Sequence, residues 1–179
     1  TATATNSHVY CNHDNNSTNV YNEDIIVSSN NAVNDGVYFG NSEGVGSLAA
    51  TKTITIGGTG FIGRYLYLRN FTQLGNTAQT LALTGDARLE VFNSDFGGSL
   101  NFSAPILFSR GTRYRENVIF TKTGITNDYS SGGNQFDIDF EMNNTGSGTF
   151  AMGNTNSDIF ANDATINNSG SKNIPSKGR

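Results

Sequence analysis

Several groups of side chains in this sequence have the types and spacing to do chemistry. Asp137, Asp139 and Glu141 alternate with Phe136, Ile138, Phe140 and Met142, so in an extended strand the three carboxylates share the outward face. Three carboxylates on one β face could work as acid and base on an acidic polysaccharide, as a lyase or galacturonase requires, or hold a calcium ion. The plainer reading is a solvated face, with Arg115 one repeat earlier over Asp137 in a surface ion pair worth about 0–1 kcal/mol. His8, Cys11 and His13 lie close together. Such spacing can bind zinc, but a fourth ligand would have to come from Asp14 and there is no CxxC pair; a polar loop in an atypical terminal coil is the simpler account. Arg110, Arg113 and Arg115 form a basic patch suited to an anionic glycan. Thr1, Thr3, Thr5 and Thr51, Thr53, Thr55 have the alternation of flat threonine arrays on ice-binding solenoids, in two places only. Gly97-Gly98 and Gly132-Gly133 do not extend into a nine-residue calcium-binding repeat. No catalytic, cofactor-binding or metal-ligating residue is assigned, and the expectation is a protein that is not an enzyme.

The elements that would position these groups are repeats. Phe136–Ser147, FDIDFEMNNTGS, returns as Phe160–Ser171, FANDATINNSGS. An aromatic opens each copy, apolar residues follow at +4 and +6, and Asn-Asn-(Thr/Ser)-Gly-Ser closes it as a turn. Sliding this template toward the N-terminus finds Tyr114 with Val118 and Phe120, Phe96 with Leu100 and Phe102, and Thr77 with Leu81 and Leu83. Ile54 and Ile56 form a further pair, and Tyr21 with Ile25 and Val27 is the earliest clear copy. The +6 positions Val27, Ile56, Leu83, Phe102, Phe120, Met142 and Ile166 are separated by 29, 27, 19, 18, 22 and 24 residues, so each copy has its own loop length. No stretch carries a sustained helical period. Second strands are expected at Gly36–Gly40, Tyr65–Leu68, Ala87–Val91, Pro105–Phe108 and Gly148–Met152.

Short strands joined by Gly/Asn turns and repeated at this period predict an all-β chain, a right-handed parallel β-helix or β-solenoid of about seven coils stacked at about 4.8 Å. Tyr21, Phe96, Tyr114, Phe136 and Phe160 should form an inward aromatic column, with the +4 and +6 residues an aliphatic one. Asn143 and Asn144 should stack on Asn167 and Asn168 as coil-to-coil hydrogen-bond ladders, and Asn and Gly should supply the φ > 0 turns that the corners need.

Of 179 residues, 35% are hydrophobic, a low fraction that a thin solenoid core tolerates. With 11 Lys+Arg against 15 Asp+Glu the net charge is -4, which argues against nucleic acid as a partner. Cys11 is the single cysteine, so no intramolecular disulfide forms. No run of 18 apolar residues offers a membrane-spanning segment. The chain reads as one solenoid segment, with residues 1–20 an atypical coil, 21–171 the repeats and 172–179 a tail. Both ends fall in repeat-like sequence without a visible cap or signal peptide, so the expectation is an excerpt of a longer array.

IGGTGFIGRYLYLRNFTQLGNTAQTLALTG (Ile56–Gly85), FGGSLNFSAP (Phe96–Pro105), TKTGITNDYSSGGNQF (Thr121–Phe136) and NNTGSGTFAMGNTNSDIF (Asn143–Phe160) resemble repeat modules of very large Bacteroidetes surface adhesin-like proteins, of the type exported by type IX secretion and associated with gliding motility. The resemblance covers Tyr21 to Ser171. The opening Phe-Asn-Gly of such modules is approached here only by Phe96-Gly97-Gly98. It implies an extracellular, cell-surface location and a structural or adhesive role as stalk or filament. The expected partners are neighbouring repeats or other copies end to end, and surface glycans. The alternatives are a polysaccharide-binding or polysaccharide-degrading β-helix and a self-assembling fibre subunit.

Overall fold

The computed structural model describes residues 8–12, 17–29, 36–40 and 44–170. Its described residues form a parallel β-solenoid of seven coils, each built from three short strands. Coil 1 holds β1 (His8–Cys11), β2 (Thr18–Tyr21) and β3 (Ile25–Ser29); coil 2 holds β4 (Gly36–Phe39), β5 (Val45–Leu48) and β6 (Ile54–Phe61). Coil 3 follows with β7 (Tyr65–Arg69), β8 (Phe71–Gln73) and β9 (Gln79–Ala82), then coil 4 with β10 (Arg88–Phe92), β11 (Asp95–Phe96) and β12 (Leu100–Ala104). Coil 5 comprises β13 (Ile106–Arg110), β14 (Arg113–Tyr114) and β15 (Val118–Lys122). Coil 6 comprises β16 (Asp128–Tyr129), β17 (Gln135–Phe136) and β18 (Phe140–Asn144), and coil 7 β19 (Phe150–Ala151), β20 (Ile159–Phe160) and β21 (Ala164–Asn168). Equivalent strands pair in parallel to make three faces, called here A, B and C in the order the chain visits them. Coil 1 already belongs to the stack, since His8 faces Gly36 and Cys11 faces Phe39 in the β1–β4 ladder.

Alternation explains the core. Along each strand every second side chain points inward, and parallel in-register pairing puts like on like. On face B, Phe96, Tyr114, Phe136 and Phe160 stack with centroids 5.9, 4.9 and 5.0 Å apart and planes within 11°. On face C, Phe102 lies on Phe120 at 6.2 Å, with Met142 and Ile166 continuing the register. The two columns meet edge to face: Tyr114 against Phe120 at 5.6 Å and 84°, Phe96 against Phe102 at 5.9 Å and 84°.

Two parts of the expected columns differ. Tyr21 stacks not on Phe96 but on Phe71, at 6.4 Å, because Leu48 and Gln73 occupy the intervening coils of its own row. In coil 3, Leu81 rather than Leu83 takes the +6 place, opposite Phe102, and Gln79 rather than an apolar residue faces Leu100. The turn from β8 to β9 is longer than that from β11 to β12, which shifts the template. Gln79 turns this to use: its Oε1 accepts the Ile54 N–H at 2.8 Å and its Nε2 donates to Lys52 O at 3.1 Å, bridging β6 and β9 where the face C ladder is interrupted.

Polar ladders run beside the apolar columns. Asn144 Nδ2 donates to Asn168 Oδ1 at 3.2 Å and Asn167 Nδ2 to Asn143 Oδ1 at 2.9 Å, so the expected Asn ladders are present. A second ladder lines the corner from face A to face B. The N–H of Phe71 donates to Ser94 Oγ, that of Ser94 to Thr112 Oγ1, that of Thr112 to Asn134 Oδ1 and that of Asn134 to Asp158 Oδ1, at 3.1, 3.3, 3.2 and 2.9 Å. Each side chain thus satisfies an inward-facing amide of the coil before it. Burial pushes the Asp158 carboxyl above its ordinary range.

The corner just before this ladder is where φ > 0 is needed, at Asn70 and Asn93 (both 48°) and Gly111 (59°). Gly124, Gly146 and Gly170, just after the face C strands, serve another purpose. Gly146 carries no positive φ, but a Cβ on it would lie 2.1 Å from Gly124 O; the turns stack too closely for any side chain. Gly146→Ala is therefore expected to force the backbones of coils 5 and 6 apart and to lower stability by about 1–3 kcal/mol, measurable as a drop in the urea midpoint.

Candidate functional site

The side chains named from spacing do not converge. The backbone bends at Asp137–Asp139 between β17 and β18, so the three carboxylates do not share one strand face. Asp137, at the corner, accepts from Arg113 at 2.9 Å and from Gln135 Nε2 at 2.6 Å. Asp139 is paired with the Asn162 amide. Glu141 points outward from face C and accepts from Asn143 Nδ2 at 2.9 Å. Arg115 pairs not with Asp137 but with Asp95, through Nε at 2.7 Å and Nη2 at 2.6 Å, because the diagonal neighbours reach each other better than residues in direct register.

His8 and Cys11 sit on opposite sides of β1, three residues apart, so they cannot share an ion. His8 lies against the Tyr38 ring, while Cys11 packs on the core, where burial raises its thiol pKa. His13 and Asp14, like Thr1, Thr3 and Thr5, lie outside the described residues. Thr53 is tied to Asp24 by both its N–H and its hydroxyl, so Thr51, Thr53 and Thr55 make no flat array. Among the described residues there is no cluster of three His, Cys, Asp or Glu side chains able to hold a metal ion.

The arginine patch is also redistributed. Arg113 and Arg115 stay on face B in their ion pairs, while Arg110 belongs to face A. There it joins a concentration of outward-facing, mostly half-buried aromatic and cationic side chains that the sequence reading passed over. The inward residues of β7 are Leu66 and Leu68; the outward ones are Tyr65, Tyr67 and Arg69. The ladders continue this pattern. One outward row reads Tyr10, Tyr38, Tyr67, Glu90, Phe108, and beside it Arg69, Phe92 and Arg110 lie in line.

Parallel register makes the outward rings stack. Tyr10 and Tyr38 lie 4.7 Å apart at 22°, Tyr38 and Tyr67 4.6 Å apart at 13°. A Cβ at Gly36 would come within 2.5 Å of the Tyr38 ring, so glycine there leaves room for it. The arginines pack on ring faces: Arg88 over Phe108 at 4.1 Å, Arg64 over Tyr65 at 5.0 Å, and Arg69 and Arg110 over Phe92 at 5.3 and 4.8 Å. Such contacts hold a guanidinium in place while leaving its in-plane N–H groups available.

Glu90 is the lone carboxylate in these rows and is only 2% exposed. It is ion-paired to Arg88 and hydrogen-bonded by Tyr67; burial raises its pKa, and the Tyr67 phenol is pushed up first by its own burial and then by the Glu90 charge beside it. Arg69 and Arg110 have no carboxylate partner among the described residues. Although the chain is net negative, the described strands of this face carry more arginine than carboxylate.

The local relief suits a long ligand. A depression of about 160 Å³ between Tyr10, Tyr38, Gly40, Tyr67 and Arg69 is smaller than a typical small-molecule pocket. A larger groove of about 440 Å³, lined by Leu74, Gly75, Asp95 and Arg115 among others, holds an acid and a base already paired with each other.

A signal for face A was present in YLYLR, RLEVF and ILFSR. In each of these strands the outward set carries an aromatic ring together with an arginine. A strand with a merely solvated outer face has no need of rings there.

The chain matches no protein-family model, no curated protein and no solved structure. No helix of the described residues is long and apolar enough to cross a membrane.

Proposed function

We propose that this chain is a non-catalytic, adhesive segment of a secreted cell-surface repeat protein, a stretch of stalk or filament that holds extended surface polymers along face A. The observation that carries the reading is the outward row of Tyr10, Tyr38 and Tyr67 flanked by Arg69 and Arg110, repeated over consecutive coils. A row of equivalent contacts favours many weak interactions over one deep pocket, and multivalency supplies the strength. The resemblance to repeat modules of large Bacteroidetes surface proteins supports an extracellular location.

Beads coated with the chain are expected to resist shear on at least one of agarose, cellulose or alginate surfaces. The paired change Tyr38→Ser/Tyr67→Ser should cut retention about tenfold, because small losses per site multiply across many contacts. The reading fails if coated beads wash away like albumin-coated ones on all three surfaces, or if the variant holds as well as the parent.

End-to-end assembly is a second reading with its own observation. Coil 7 leaves Ile159, Phe160 and Ile166 between 40% and 60% exposed, an open core edge that a further coil, from the same array or from another copy, would cover.

A further inference from the structure

Face A resting on adhesion leaves open which polymer it holds, and three features narrow the choice. The first is charge: among the described outward side chains of the face, four arginines, Arg64, Arg69, Arg88 and Arg110, surround one carboxylate that is itself buried and paired. The second is how the rings are used. Tyr10, Tyr38 and Tyr67 stack on one another, and Phe92 is covered by Arg69 and Arg110. Tyr38 and Phe92 are thus covered on both faces, so neither a sugar ring nor a nucleobase can stack on them; they turn ring edges, and the tyrosine its phenol hydroxyl, to solvent. The third is period. The rings repeat every 4.7 and 4.6 Å, the coil rise of about 4.8 Å, and a 1,4-linked pyranose chain advances by a similar step per sugar.

We infer that face A binds an extended uronate polysaccharide lying parallel to the solenoid axis, its carboxylates gripped by the Arg69 and Arg110 forks and its hydroxyls met by the tyrosine row. The inference rests on the adhesive reading of the same face. Arg69 and Arg110 stand two coils apart in one row, with Phe92 between them, so they address alternate sugars of a chain in register with the coils. Planar guanidinium forks match carboxylates in two parallel hydrogen bonds. Phe92 fixes both forks in advance, which lowers the ordering cost of binding.

The test is binding of polygalacturonate, alginate, carboxyl-reduced polygalacturonate and single-stranded DNA to the immobilised chain, across a salt series. The acidic polysaccharides should bind, and removing the carboxyls from polygalacturonate should weaken binding at least tenfold. Affinity for the acidic polymers should fall with salt, as exposed charge interactions are screened. Arg69→Gln and Arg110→Gln should each cost about tenfold. Arg69→Lys, which keeps the charge but loses the fork, should also weaken binding and guards against a folding defect in the glutamine variants; thermal melts compare all three with the parent. Equal binding of the carboxyl-reduced polymer, unaffected by the arginine changes, would overturn the uronate assignment and leave adhesion through face A standing. Preference for single-stranded DNA, or no binding of any polysaccharide by a chain whose beads still adhere, would overturn it too. Beads that fail to adhere at all would instead remove the adhesive reading.

Discussion

Tyr114→Ala is expected to destabilise the solenoid by about 3–5 kcal/mol, a large share of the stability of an ordinary chain. Tyr114 is fully buried at the middle of the aromatic column, between Phe96 and Phe136, with the edge of Phe120 against it. Truncation removes all three ring contacts. Collapse around the hole is resisted because strand pairing holds the coils at fixed spacing. The phenol hydroxyl is 2.7 Å from Ser109 Oγ, which also donates to Asn134 Oδ1 at 2.8 Å, so the ring ties the apolar column to the polar ladder at the face A–face B corner. Tyr114→Phe keeps the stack and loses only the hydroxyl, so it should cost about 1 kcal/mol. Urea denaturation of both variants separates the two contributions. Similar losses for the alanine and phenylalanine variants would mean that the hydroxyl network, not the stack, holds this region.

Asp128→Ala is expected to cost about 3–5 kcal/mol, by leaving a buried cation without its partner. Lys122 Nζ lies 3.1 Å from Asp128 Oδ2 with both side chains 0% exposed. The ammonium also donates to Pro105 O at 2.9 Å, and Asp128 Oδ2 accepts the Leu107 N–H at 2.9 Å. Lys122→Met with Asp128→Asn removes both charges while keeping an acceptor for that N–H, and should recover most of the loss. A double-mutant cycle by denaturant melts measures the coupling, and additive losses would sink the idea. Burial pushes the Asp128 carboxyl up, against the pull of the Leu107 N–H and Lys122. A group raised on folding contributes stability fully below its unfolded value, about 4 for Asp, and loses it as pH rises through the higher folded value. The parent should therefore lose stability relative to Asp128→Asn as pH climbs out of the acid range.

These two sites differ in how visible they were. The face B column could be read from chain spacing alone, because Phe96, Tyr114 and Phe136 open units whose turns have matching lengths. The same reading slipped at Leu83, where a longer turn moved Leu81 into the buried row. It also took Phe136 to Met142 for one strand, since alternation continues across the bend at Asp137–Asp139 and periodicity does not register a corner. Lys122, Asp128, Ser94, Thr112, Asn134 and Asp158 read as surface residues by type. Asp128, Ser94, Thr112 and Asn134 are buried, and Asp158 half-buried, because inward amides of one coil need acceptors from the next, while Lys122 is buried because it pairs with Asp128 and donates to Pro105 O; both demands are set by three-dimensional stacking. The aromatic–arginine face went unread for a related reason: the search followed rings at the opening, +4 and +6 positions of the repeat, and Tyr38, Tyr67 and Phe92 lie outside them.

The coil junctions are not equally strong. Between β6 and β9 the face C ladder gives way to the Gln79 amide, and between β13 and β16 the face A ladder gives way to Asp128 and Ser130, whose side chains accept the Leu107 and Ser109 N–H groups. Face B alone is continuous through all seven coils. A rod pulled along its length would therefore loosen first at two seams on different faces, the coil 2–3 seam held by faces A and B and the coil 5–6 seam by faces B and C. Coils 1–2, 3–5 and 6–7 would then separate as blocks while the chain stayed tethered. Such a strut gives way in steps under tension, absorbing work at each seam and re-closing when the load falls.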